Sequence, residues 1–222
     1  MFRRDMNSYA AMLKAFKAPL FQAGQQSAYE EVRAWAQAHG QSALSSAAVL
    51  AAGDVDEAEA DFNRMCIGPY RLTVPPYESV WRSPNRALND CHTAAVAYSY
   101  AELGLTVGRN LNEPADFIAY ELEFLFCAAS LSAEAADKGE AEPAQVYAEI
   151  AERFWAEHLG HWAESFLSAM AKDSRHKFWT AWAQTLLAQL NEFNVEIELS
   201  KFMTGLQTSV VAPPESHTEK RI

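Results

Sequence analysis

The chain has 222 residues, half of them hydrophobic and 12% aromatic, which is enough to bury one sizeable core and excludes wholesale disorder. A net charge of −11 argues against nucleic acid or an anionic lipid surface as the main partner and would attract a basic ligand. No run approaches the roughly 18 apolar residues of a membrane span, so no stable membrane insertion is expected.

Cys66, Cys91 and Cys127 are odd in number and lack C-x-x-C spacing, which fits reduced thiols and disfavours a disulfide framework or a zinc cage. Arg3-Arg4 stands near the start, but no apolar stretch or cleavage site follows it. The chain is therefore expected in the cytoplasm.

Taken in order, Tyr9, Met12, Leu13, Phe16 and Leu20 form an amphipathic stripe expected to end near Pro19 and Gly24. Tyr29, Val32, Trp35 and Ala36 form a second stripe, closed by Gly40, and an alanine-rich piece follows from Ser42 to Ala52. Asp54-Val55-Asp56-Glu57 has the spacing of a capping box and predicts a helix through Phe62 to Cys66. Prolines recur between Gly68 and Pro76 and remove backbone donors, so this stretch reads as a connector, continued by Tyr77 to Trp81. A helix is expected to resume near Asn85 and run to Gly104.

After the Gly104–Gly108 break, Asn112 can cap a helix with Pro114 in its first turn, and Glu113 and Asp116 would face the positive end of its dipole. Ile118, Leu122, Leu125 and Ala129 recur at helical spacing. Glu121 falls between Phe117 and Leu125 on that apolar face, where a carboxylate is costly without a partner. Asp137 to Pro143 reads as a charged linker. Three further helices follow, carrying Val146 to Leu159, Trp162 to Met170 and Ser174 to Phe193. Val195 to Leu199 alternates like a strand but has no pairing partner, so it reads as a helix extension or an extended tail.

The fold class that follows is all-α: a single helical, bundle-like domain of about eight to ten helices with a long Pro-containing connector in the middle. It spans 1–203, divisible into halves 1–104 and 109–203 at the Gly-containing hinge, and 204–222 reads as a disordered tail. No phosphate loop, dinucleotide-binding turn or nucleophile elbow is present. His158 and His161 have i, i+3 spacing, but Gly160 marks a helix boundary and no accompanying carboxylate completes a di-iron pattern. Cys91 and His92, adjacent in a helix, are expected to point apart.

Glu113-Pro114-Ala115-Asp116-Phe117-Ile118-Ala119-Tyr120-Glu121-Leu122-Glu123-Phe124-Leu125 resembles the E-P-x-D-H signature of the TorD/DmsD chaperones, with Phe117 where that family usually has His. Val74-Pro75-Pro76 with Tyr77 to Trp81 resembles the family's connector. Phe154 to Phe166, through His158 and Trp162, resembles its F-x-x-x-H-x-x-x-W-x-x-x-F block. The resemblance covers roughly Pro69 to Phe193 in three ordered blocks. It implies a cytoplasmic chaperone, not an enzyme, with no cofactor of its own. Such a chaperone binds the twin-arginine signal peptide and apo form of a molybdopterin-containing oxidoreductase catalytic subunit, assists cofactor insertion and delays export until maturation.

On that reading, Glu78, Asp116, Glu121 and Glu123 supply carboxylates for guanidinium groups. Tyr77, Trp81, Phe117 and Tyr120 supply the apolar wall. Asp116 is expected to face solvent and read the arginines. Glu121 is expected to pair internally and hold the connector to the central helix, so that Glu121→Gln lowers thermal stability. The alternatives are a stable assembly subunit of a redox complex, or a small helical enzyme or metal-binding protein using His158 and His161. The chain is expected to be a monomer or, by exchange of halves across the Gly104–Gly108 break, a domain-swapped homodimer.

Overall fold

The computed structural model describes residues 5–69, 71–108 and 112–210, with backbone alone for 200–210. Ten α-helices carry the fold: α1 Met6–Phe21, α2 Gln26–Ala38, α3 Ser42–Gly53, α4 Val55–Phe62, α5 Glu78–Arg82, α6 Cys91–Tyr100, α7 Ile118–Asp137, α8 Ala141–Glu157, α9 Ala163–Asp173 and α10 Lys177–Val210. Among the described residues there is no strand, only an isolated bridge between Tyr77 and Phe117. The all-α expectation holds.

Several boundaries move for identifiable reasons. Asp5 caps α1 by accepting the Ser8 N–H at 3.1 Å, and the helix passes through Pro19 to end two residues later. Pro19 cannot donate to the Ala15 carbonyl one turn back, and the helix ends within the next turn. Asp54 accepts the Glu57 N–H at 3.2 Å and opens α4 as its spacing predicts. The helix then widens into a π turn over Asn63–Ile67, which buries Met65 and Cys66. α6 starts at Cys91, not near Asn85. Arg86 and Asn89 adopt positive φ, and the Asp90 side chain caps the helix through the His92 N–H at 2.9 Å. The expected linker after Asp137 shrinks to a short turn with Gly139 at φ +79°, and Pro143 sits in the first turn of α8. Val195 to Leu199 continues α10, with Ile197 buried while Val195 and Leu199 are exposed. The backbone from 204 to 210 is helical; 211–222 of the expected tail lies outside the described residues.

The central helix α7 packs between α1 and α8, α2 lies against α1 and α3, and α10 packs against α9, α3 and α4. Contacts thus run between the N-terminal and C-terminal parts of the chain. At one end of the core, Phe16, Trp35, Trp179, Trp182, Phe62, Phe178 and Tyr29 form a set of ring contacts. Two of its indole N–H groups are satisfied, Trp182 donating to Phe16 O at 3.1 Å and Trp179 to Ala58 O at 2.8 Å, while the buried Trp35 N–H has no hydrogen-bond partner among the described residues. Asp61 accepts the Arg175 and His176 N–H groups, each at 2.8 Å, just before α10, and Arg64 bridges Asp61 to Asp173. The long closing helix is therefore anchored from α4.

Candidate functional site

The connector and the start of α7 are bound together by backbone. Ile118 N–H donates to Pro76 O at 2.9 Å and Glu78 N–H to Asp116 O at 3.0 Å. This pairing explains why α7 begins at Ile118 and not at Asn112: Phe117 is extended and bridged to Tyr77 of the connector. It also explains α5, which the sequence left inside the connector. Asp116 Oδ2 accepts the Ser79 N–H at 2.8 Å, so Asp116 caps a helix 37 residues away in the chain instead of its own. Asp116 is fully buried, and its other oxygen has no hydrogen-bond partner among the described residues. The expectation that Asp116 faces solvent is overturned, because a carboxylate used as an internal cap cannot also project from the surface.

Glu78 is also fully buried and sits at the centre of a polar knot. Arg82 donates to it one turn along α5 and to Glu157 O at 2.7 Å, tying α5 to the end of α8. His158, in the turn after α8, places Nδ1 3.2 Å from Glu78 Oε2 and Nε2 3.0 Å from the Ser99 hydroxyl of α6. His92 Nδ1 stands farther off, 3.9 Å from Glu78 Oε1. His158 is buried and His161 exposed, so the two do not converge on one site.

Glu121 lies in the same knot with no exposure and accepts the Trp162 indole N–H on Oε2 at 3.2 Å. Its Oε1 has no donor among the described residues. Burial, and then the neighbouring Glu78 charge, push the Glu121 carboxyl well above the usual carboxylate range, which favours the protonated acid. A protonated Glu121 can donate its hydrogen towards Glu78, with Trp162 closing the other side. Tyr100 completes the enclosure, donating to Ala115 O at 2.8 Å from between Phe124 and Phe154.

The remaining sequence candidates lie nearer the surface. Tyr77 is mostly buried, and its hydroxyl donates to Glu113 at 2.5 Å; burial and that carboxylate hold it protonated. Phe117 and Tyr120 are mostly buried and continue a run of rings: Tyr77 to Phe117 at 6.0 Å, Phe117 to Tyr120 at 5.3 Å, and Tyr120 to the exposed Phe21 at 5.8 Å. Trp81 is half-buried, donates to Pro75 O at 2.6 Å and carries the Arg86 guanidinium 5.2 Å from its ring. Glu123 pairs with Lys17 at 2.5 Å, and Lys17 also stands 4.6 Å from the Phe126 ring. Structure therefore divides the eight candidates. Glu78, Asp116 and Glu121 form an internal knot, Tyr77, Phe117 and Tyr120 are buried beside it, and Trp81 and Glu123 reach the surface.

Sequence reading missed the partners that make the knot: Arg82, Ser99, Trp162 as a donor, and His158 as a buried ligand of Glu78. Of these, His158 and Trp162, both carried in a resembling block, left a usable signal. Contrary to expectation, the ligand atoms of Asp90, Cys91 and His92 come within 4.8 Å of one another, because Asp90 is an extended cap that folds back over the first turn. Both Asp90 oxygens are already engaged, by Ser83 at 2.5 Å and by the His92 N–H.

Residues 22–168 match the family described as nitrate reductase delta subunit. The Tat proofreading chaperones DmsD of Salmonella paratyphi A and of Salmonella typhi are each 27% identical over 136 residues, which is 61% of this chain and 60% of theirs. The match thus spans about three-fifths of the length of these curated relatives. A crystal structure from Archaeoglobus fulgidus, assigned to redox enzyme maturation, superposes with a TM-score of 0.53 at 16% identity. It covers 84% of this chain and 96% of the other, a likeness of fold.

Proposed function

The chain belongs to the nitrate reductase delta subunit family, the family of the TorD/DmsD chaperones, and from that premise we propose that it is a cytoplasmic redox enzyme maturation chaperone. It binds the twin-arginine signal peptide of a molybdopterin oxidoreductase catalytic subunit and delays export until the cofactor is in place. The observation that carries this reading is the family match across residues 22–168, a span that holds both the connector and α7. The physical chemistry supports it. A signal with two guanidinium groups and an apolar segment is complementary to an acidic chain that presents rings beside carboxylates.

Client contact falls to the surface members of the candidate set, Trp81 and Glu123, joined by Phe21, which packs on Tyr120, and by the half-buried Glu113. The buried members position them. The Asp116 cap and the Glu78–Arg82–His158 knot fix the connector against α7, so the contact surface is preformed and little ordering cost falls on binding. No catalytic step is assigned to any residue.

Titration of the purified chain with a synthetic twin-arginine signal peptide tests the proposal. Saturable binding that weakens by about tenfold or more when both arginines become lysines is expected. Equal binding of both peptides contradicts it. The family description names a subunit, which favours one second reading: a lasting component of the assembled reductase. That reading requires the mature enzyme to carry this chain at fixed stoichiometry.

A further inference from the structure

The turn between α1 and α2 forms one wall of an open cleft of about 430 Å³, lined by Phe21, Gln22, Ala23, Gly24, Gln25 and, from α4, Glu59. The cleft is continuous with the surface described above, because Phe21 contacts Tyr120. Its floor is fixed: Tyr29, fully buried, donates its hydroxyl to Ala23 O at 2.6 Å and stacks edge-on against Phe178. The Glu59 carboxylate lies against Gly24, so closely that a Cβ there would sit 2.9 Å from both of its oxygens. Among the described residues, no lysine, arginine or histidine stands at ion-pair distance from Glu59 (the ion pairs of this region use Glu123 and Glu31 instead).

We propose that this cleft seats one guanidinium of the client's twin-arginine pair, with Glu59 as its carboxylate partner and Phe21 as its stacking face. The inference rests on the function proposed above and adds a site to it. Three observations point to a guanidinium. A half-buried carboxylate without a cation is a charge in want of a partner, in a chain of net charge −11. Phe21 offers a partly exposed ring, already 5.8 Å from the Lys17 ammonium, and a planar cation can pack beside it while its N–H groups reach the carboxylate and the Gln22 and Gln25 amides. The same face already holds a cation in this manner: Lys17 sits between the Glu123 carboxylate and the Phe126 ring.

The test is a set of affinities, measured by calorimetry with a synthetic twin-arginine signal peptide and with the same peptide carrying glutamine at both arginines. The original chain, Glu59→Gln and Gly24→Ala are compared, each checked for helical content by circular dichroism. Glu59 is half-buried and its side chain makes no hydrogen bond among the described residues, so its replacement by Gln leaves the fold intact. Gly24→Ala keeps the carboxylate but displaces it. Both variants are expected to bind the twin-arginine peptide about tenfold more weakly, and the glutamine peptide within about twofold of the original chain. If the original chain prefers the arginine peptide but Glu59→Gln binds it equally well, the cleft assignment is overturned while the chaperone reading stands. If the original chain does not distinguish the two peptides, the chaperone reading falls, and the cleft assignment with it.

Discussion

Glu121 and Asp116 are both acidic, both in the same signature and both fully buried, yet they are held in different ways. Asp116 is an acceptor with a backbone donor, the Ser79 N–H. Replacing it with Ala is expected to cost about 1–2 kcal/mol, the value of an N-cap, and to lower the urea midpoint. Glu121 is held towards its protonated form, so a Gln at this position reproduces the neutral group: its carbonyl accepts from Trp162 and its amide donates towards Glu78. The expectation that Glu121→Gln lowers stability is therefore reversed.

The sign follows from linkage. A carboxyl raised in the folded state gives stability that is complete below the ordinary carboxyl range and is lost as pH rises towards the folded value. Glu121→Gln removes that loss, so its melting temperature should rise relative to the original chain as pH increases from acidic to neutral. A difference that shrinks over this range would contradict the assignment. Glu121→Ala, which leaves the Trp162 N–H unpaired beside a cavity, should cost about 2–4 kcal/mol at any pH. The thiols divide as clearly. Burial and Glu123 push Cys127 up to about 11, Cys66 is buried and raised further, and Cys91 is exposed. Alkylation at neutral pH followed by peptide mapping should modify Cys91 first, with Cys127 and Cys66 lagging.

At the scale of elements, what could be read from sequence depended on how far a helix start lies from its cap. The Asp54–Glu57 box is local and was legible, as were the stripes of α1, α2, α7 and α10 and the helix-ending role of Gly40. α5 was not, because its cap comes from Asp116 on another element, and no spacing rule reaches across 37 residues. The same long-range pairing hid the true start of α7, whose apparent cap and first-turn proline at Asn112 and Pro114 precede a turn and the extended Phe117. α6 was placed too early because nothing local signalled the positive φ of Arg86 and Asn89. α10 makes the point experimentally. Asp61 accepts two N–H groups ahead of that helix and also holds Arg64, so Asp61→Ala is expected to destabilise the fold by about 2–3 kcal/mol. Hydrogen exchange should then speed up first in α10 and α4; unchanged exchange there would show that the anchor is unimportant.

For the whole molecule, the resemblance marked a stretch of chain and not a surface. Sequence shows which residues are acidic or aromatic, not which of them are consumed in holding the connector to α7. Three of the four predicted carboxylates lie in that internal knot, and the cleft at Gly24 and Glu59 falls outside the three resembling blocks altogether. The architecture then has a simple logic. Helices α1 and α8 flank α7, the connector is clamped across its start by buried charge, and Phe21, Trp81 and Glu59 remain at the surface, where the proposed function places a basic, partly apolar segment.

The most direct test of that account is affinity capture with the tagged chain from cells that are making a molybdopterin oxidoreductase, with bound proteins identified by mass spectrometry. The account predicts recovery of the unprocessed precursor, abolished when the two signal arginines are changed to lysine. Recovery of mature enzyme at fixed stoichiometry, indifferent to those arginines, would contradict it.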